Sequence, residues 1–270
     1  MPWRLLKQSL NPIYPIIAAR TVQASVLGWL AHWLLHWPLT GPHALGLFLT
    51  PALCLYFVFV FVGTLTWGLP ILTRLPGTES CIALTFDDGP SEETTPLILD
   101  ILRAEGAHAT FFVLGEAVAH HPNILRRIAA EGHAIGIHAY RHQPFVLLNS
   151  KTIHAEIAQT EATIRRACPG ARVVPWVRPP HGFKSLTLVW TLRRAGYGLA
   201  AWSVDSHDYR ESNPQQIAAQ VIDKLKAGSV ILLHDGPENA ATADALRPIL
   251  RGLAERGLVP VPLQNGVSSA

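Results

Sequence analysis

Between Cys81 and Leu263, short apolar runs alternate with stretches of helical periodicity, and this alternation constrains the fold more than any other feature. The runs are CIALTF (81–86), ATFFVL (109–114), HAIGIH (133–138), RVVPWV (172–177), GLAAWS (198–203), SVILLH (229–234) and LVPVPL (258–263). Helical patterning fills 95–105, 116–131, 151–167 and 213–227 between them. Strands that are apolar nearly throughout are buried on both faces, as in a parallel sheet covered by helices. Seven such units predict an α/β fold, an imperfect (β/α)7 barrel, with its chemistry at the C-terminal strand ends. Asn213 followed by Pro214 marks a helix start, because Asn caps and Pro suits the first turn. Gly106, Gly132, Gly196 and Gly228 stand where helices should stop in a left-handed cap.

The N-terminal part has a different character. Only 15% of the chain is charged, below the usual quarter or so, and the deficit is local: no Asp, Glu, Lys or Arg occurs from Thr21 to Thr73. Residues 44–69 are long enough for a membrane-spanning helix, which needs about 20 apolar residues. Trp67 suits the interfacial belt. Residues 21–39, with Trp29, Trp33 and Trp37 on one helical face, either form a second span or lie in the interface. The expectation is therefore a membrane anchor over 1–73, one span or a helical hairpin, then a linker over 74–80 and a catalytic domain over 81–270. Arg4, Lys7 and Arg20 make the N-terminal tail the cytoplasmic side of a bacterial plasma membrane. Two spans would return the domain to the cytoplasm, and one would export it. The net charge of +3 is too small and scattered for nucleic acid. The cysteines show no CxxC pair, and Cys81 and Cys168 read as buried free thiols.

Polar clusters follow five of the strands: Asp87-Asp88-Gly89, His138 to His142, Arg178-Pro179-Pro180-His181-Gly182, Asp205 to Tyr209, and Leu232-Leu233-His234. Singly, each reads as a turn or a structural ion pair. Adjacent carboxylates at one strand exit are costly without a positive neighbour. Two histidines four apart share a face if the chain makes a helical turn, and with one Asp they form a common zinc set that leaves room for water. Such a set also suits oxygenation chemistry, although Asp87, Arg178 and His234 beside it favour hydrolysis. His108, His120, His121, His133 and His154 are expected to be exposed, and Trp176 and Trp202 to lie in the core.

TFDDG, HxxxH, RPPxG, DxxDY and LLH occur in an order and spacing that resembles the polysaccharide deacetylase family (NodB homology, carbohydrate esterase family 4) over about Cys81 to Leu263. The resemblance implies a hydrolase that removes an acetyl group from a sugar. It implies Asp87 as general base, with Asp88, His138 and His142 holding a divalent metal: zinc by ligand type, with cobalt, nickel, manganese or iron as alternatives. Arg178 would orient Asp87, the His181 N–H would bind the oxyanion, and His234 would be the general acid, oriented by Asp205. Tyr209 and Leu232 would wall the acetyl methyl. Two departures stand out. Ala139 replaces a hydroxyl residue, which removes a support for the local turn. His181 replaces an aromatic, which with His207 would make the groove more polar and suited to a negatively charged substrate. The membrane segment points to an envelope polysaccharide, peptidoglycan or a lipid-linked amino sugar. Deformylation by the same machinery and a non-catalytic sugar-binding scaffold are the competing readings.

Overall fold

The structure, a computed structural model, describes Leu53 and residues 70–264. Apart from Leu53, the expected spans at 21–39 and 44–69 lie outside the described residues. Among the described residues no helix is long and apolar enough to cross a membrane. The strands are β1 (Ile71–Leu72), β2 (Cys81–Asp87), β3 (Thr110–Leu114), β4 (Ala134–Ala139), β5 (Val173–Val177), β6 (Gly198–Ala200), β7 (Val204–Asp205), β8 (Val230–His234) and β9 (Val259–Pro260). The helices are α1 (Thr95–Ala104), α2 (Gly115–His120), α3 (Pro122–Ala130), α4 (Ser150–Ala167), α5 (Leu186–Ala195), α6 (Pro214–Lys224) and α7 (Ala240–Glu255).

The strands pair in the order β1-β6-β5-β4-β3-β2-β8-β7, with β9 added beside β2, and all these pairs are parallel. The ladder is open, so the sheet is a half-barrel rather than a closed barrel. It nevertheless curls tightly. β6 and β7 lie towards opposite ends of the ladder, yet only residues 201–203 separate them in the chain. At about 3.3 Å per residue, that connection spans little more than one or two strand widths. The run GLAAWS is therefore not one strand: it stops at Ala200 and resumes as β7, where the Ser203 N–H donates to Val230 O (3.0 Å).

The predicted boundary at residues 74–80 shifts. Ile71 and Leu72 pair with Leu199 and Ala200, the Leu75 N–H donates to Gly228 O (2.8 Å), and Arg74 bridges Ser229. Residues assigned to the anchor and linker thus belong to the sheet. The helical stretch expected over 116–131 breaks into α2 and α3 at His121-Pro122, because proline cannot donate to the preceding turn and crowds its carbonyl. Asn213 caps α6 through Gln215 N (2.9 Å). Gly196 caps α5 with φ 76.

Strand alternation sorts the side chains. Ile82, Leu84, Phe86, Ile231 and Leu233 join the large cluster under the helices. Ala83, Phe112, Ala134, Val174, Trp176 and Val230 form a second cluster inside the curve. With a period of two, the inner face continues to Asp87 on β2, His138 on β4, Arg178 just past β5 and His234 on β8. The inner space is tight: a Cβ on Gly136 would lie 2.4 Å from the Phe112 ring. Trp176 is core, as expected. His133 is buried rather than exposed, with Nδ1 accepting from the Ala109 N–H (3.2 Å). Cys81 and Cys168 are free and half-buried.

Candidate active site

Asp87 ends β2 on the inner face and is buried. Arg178, fully buried, donates through Nη1 to Asp87 Oδ1 (2.8 Å) and Thr85 Oγ1 (2.8 Å), and through Nη2 to Ala201 O (3.1 Å). Its guanidinium lies 4.3 Å from the Phe112 ring centroid. Removing one partner of such a pair leaves an uncompensated buried charge, at a cost of about 3–5 kcal/mol.

The next residue breaks the alternation. Asp88 has φ 76, a conformation that costs a non-glycine residue free energy. Instead of pointing to the helix face, its carboxylate meets the histidines. Asp88 Oδ1 lies 3.3 Å from His138 Nε2 and 3.2 Å from His142 Nε2. No helical turn brings His142 back beside His138. The chain bends at Tyr140-Arg141, whose N–H groups both donate to Glu156 Oε2 on α4 (2.9 and 2.7 Å). Glu156 thus supplies the turn support that Ala139 lacks.

The ligand atoms of Asp88, His138 and His142 all lie within 4.8 Å of one another, and Asp88 Oδ1 is buried without a hydrogen-bond partner. Burial raises the Asp88 pKa, but the imidazole of His138 close by, with those of His142 and His234, outweighs it and holds the carboxyl well below the usual range. Burial, with the neighbouring imidazoles, depresses His142 to about 4. An ionised carboxylate beside a neutral imidazole is the donor set that a divalent transition metal requires, so the residues fit such an ion.

His234 faces Asp87 across the β2–β8 ladder. Its carboxylate partner is not Asp205 but Asp208, whose Oδ1 lies 2.7 Å from His234 Nδ1. Asp208 Oδ2 accepts from the His234 backbone N–H (2.8 Å) and the Thr242 hydroxyl (2.7 Å). Asp205 is turned away and accepts from the His207 N–H (2.9 Å), with its Oδ1 also 3.0 Å from His207 Nδ1. The turn between them runs through His207 at φ 58, which lets the second Asp of the motif point inward. Burial works against the charge on His234, yet the hydrogen bond and charge of Asp208, helped by Asp87 and Asp88, push its pKa up to about 9.

Of the proposed substrate contacts, Leu232 is buried on the inner face and Tyr209 is exposed, its ring centroid 5.5 Å from that of His234. His181, at φ 61, sits 4.6 Å from the His142 ring. Trp202 packs against Gly182, where a Cβ would lie 2.5 Å from its ring. Asp235 was not foreseen. Its carboxylate accepts from Gly89 N–H (3.1 Å) and Thr95 Oγ1 (2.7 Å), and its N–H donates to Asp87 O (2.9 Å). It ties the acid strand to the carboxylate loop, and burial pushes its pKa up to about 7.

The polysaccharide deacetylase family profile matches residues 74–200. A chitooligosaccharide deacetylase of Bradyrhizobium sp. strain ANU 289 is 37% identical over 59% of this chain and 72% of its own. Among solved structures, a peptidoglycan N-acetylglucosamine deacetylase superposes with a TM-score of 0.67 at 34% identity, covering 72% of this chain and 90% of that one. A family pseudoenzyme from Bacillus anthracis superposes with a TM-score of 0.65 at 26% identity, covering 71% and 66%. The chain belongs to the polysaccharide deacetylase family, hydrolases of carbon–nitrogen bonds other than peptide bonds.

The His234–Asp208 pair generates a pH prediction. A histidine whose folded pKa is raised from 6.5 to about 9 stabilises the fold fully below pH 6.5, and this is lost as pH rises through about 9. The stability difference between wild type and Asp208→Asn should therefore be largest at or below pH 6.5 and shrink towards pH 9 in denaturant titrations. Without the Asp208 charge, the basic limb of the kcat–pH profile should also fall towards the ordinary imidazole range.

Proposed function

We propose that the chain is a membrane-anchored, metal-dependent deacetylase that hydrolyses the N-acetyl group of an amino sugar in an envelope glycan or a lipid-linked glycan. The observation that carries this reading is the meeting of a carboxylate base, an Asp-His-His cluster and a carboxylate-held imidazolium at one strand-end mouth. Asp88, His138 and His142 would hold the metal, zinc by donor type, and a bound ion would polarise the acetyl carbonyl and stabilise developing negative charge.

Asp87 presents the oxygen that Arg178 does not engage, Oδ2, to take a proton from the attacking water. Arg178 fixes that carboxylate in one orientation. His234, bonded through Nδ1 to Asp208, offers its Nε2 proton to the departing amine. The His181 N–H is assigned to the oxyanion, and Leu232 and Tyr209 to the walls of the acetyl pocket. The curated relatives act on chitooligosaccharides and peptidoglycan by name, which supports an N-acetylglucosamine-containing substrate. The uncharged residues from Thr21 to Thr73 support a membrane location.

The pseudoenzyme neighbour makes a non-catalytic role the second reading. Against it, the base is paired with Arg178, the acid with Asp208, and the ligand cluster is assembled beside the base. Asp87→Asn unpairs the buried Arg178 and should lower the thermal transition, and below that transition, where the variant is folded, it should reduce acetate release by a factor of about 100 to 10,000; turnover close to wild type would remove Asp87 from the mechanism. Alkaline carbonate washing should leave the full chain in the membrane fraction, and its release would contradict the anchor.

A further inference from the structure

Beside the mouth lies a second cavity of about 320 Å³, within the usual range for a small-ligand site, walled by Ile71, Thr73, His181, Phe183, Lys184 and Trp202 among others. It adjoins the reaction centre on two sides. The His181 ring packs on His142, and the Trp202 ring centroid is 5.7 Å from the Arg178 guanidinium. No acidic residue lines it.

Lys184 is the unusual element. Only 9% of the residue is exposed, and it lines this cavity. Arg178 is engaged by Asp87, Thr85 and Ala201, whereas no side-chain hydrogen bond or carboxylate partner of Lys184 occurs among the described residues. Burial depresses the pKa of its ammonium. A half-buried ammonium without a carboxylate partner carries part of a desolvation cost, which an incoming anion relieves. His207, the other cationic candidate for a charged substrate, is already taken by Asp205.

We propose that Lys184 and the surrounding cavity form an anion subsite that receives a phosphate or carboxylate group carried by the glycan substrate. This rests on the deacetylase reading of the adjoining centre. Ile71 and Thr73, on the cavity wall, follow closely after Leu69 at the end of the uncharged stretch 44–69. Trp202 and Phe183 provide apolar faces for the sugar bearing that group.

The test compares wild type, Lys184→Met and Lys184→Arg as detergent-solubilised full chains. Binding is measured by calorimetry, and deacetylation as kcat/KM, with three probes: N-acetylglucosamine 1-phosphate, N-acetylmuramic acid and neutral chitotetraose. Lys184→Met should weaken binding of an anionic sugar about 10-fold more than binding of the neutral one, as for loss of one charge-assisted hydrogen bond. Lys184→Arg should restore most of the loss. A preferential effect on the phosphate or on the carboxylate sugar identifies the source of the anion. Equal changes with charged and neutral sugars would mean that the lysine stem only packs, and would overturn the subsite. A charge-selective binding loss without any deacetylation by wild type would support the subsite and overturn the catalytic reading instead.

Discussion

The register between β2 and β8 sets the position of everything else in the site. Asp87 is paired with His234, both on the inner face, so the proposed base and acid are placed by backbone hydrogen bonds rather than by loops. The Thr85 hydroxyl donating to Ile231 O (2.6 Å) and the Asp235 N–H donating to Asp87 O (2.9 Å) lock the same ladder one step before and one step beyond. A slip of one residue in either strand would turn that strand's side chain to the helix face and part the pair.

Curvature adds the third member. β5 and β2 are three strand spacings apart in the ladder, about 14 Å on a flat sheet, with side chains pointing in parallel. Only a curled sheet aims Arg178 across the interior at Asp87. The tight inner packing of Gly136 against Phe112 leaves room for the guanidinium above the Phe112 ring. The ion pair in turn spans the curl, so fold and site depend on the same contact. The loops supply the rest: Asp88 through its left-handed conformation, His142 through a bend held by Glu156, and Asp208 through the turn at His207.

Much of this was legible in the chain because it rests on local patterns. The seven apolar runs gave the strands, and the polar residues at their ends gave the mouth. The choice between Asp205 and Asp208 was not legible. Both are acidic, three residues apart, and the turn that inverts their directions depends on a positive φ at His207 that spacing does not encode. Glu156 and Asp235 have no signature in the sequence because they act on backbone N–H groups of distant loops, which leave no motif. The strand at Ile71–Leu72 was hidden by its continuity with the apolar stretch before it. His133 is buried where the sequence predicts exposure, because its Nδ1 finds a backbone donor, which makes a buried neutral imidazole acceptable.

The most direct test of the central claim is metal reconstitution. Acetate release from N-acetylated chitooligosaccharide or peptidoglycan would be followed for the solubilised chain before chelation, after chelation, and after adding back zinc. The account predicts release that disappears with the metal and returns with one equivalent per chain. Release that continues in a sample shown to be metal-free would contradict it, and so would a sample with one metal per chain that releases no acetate.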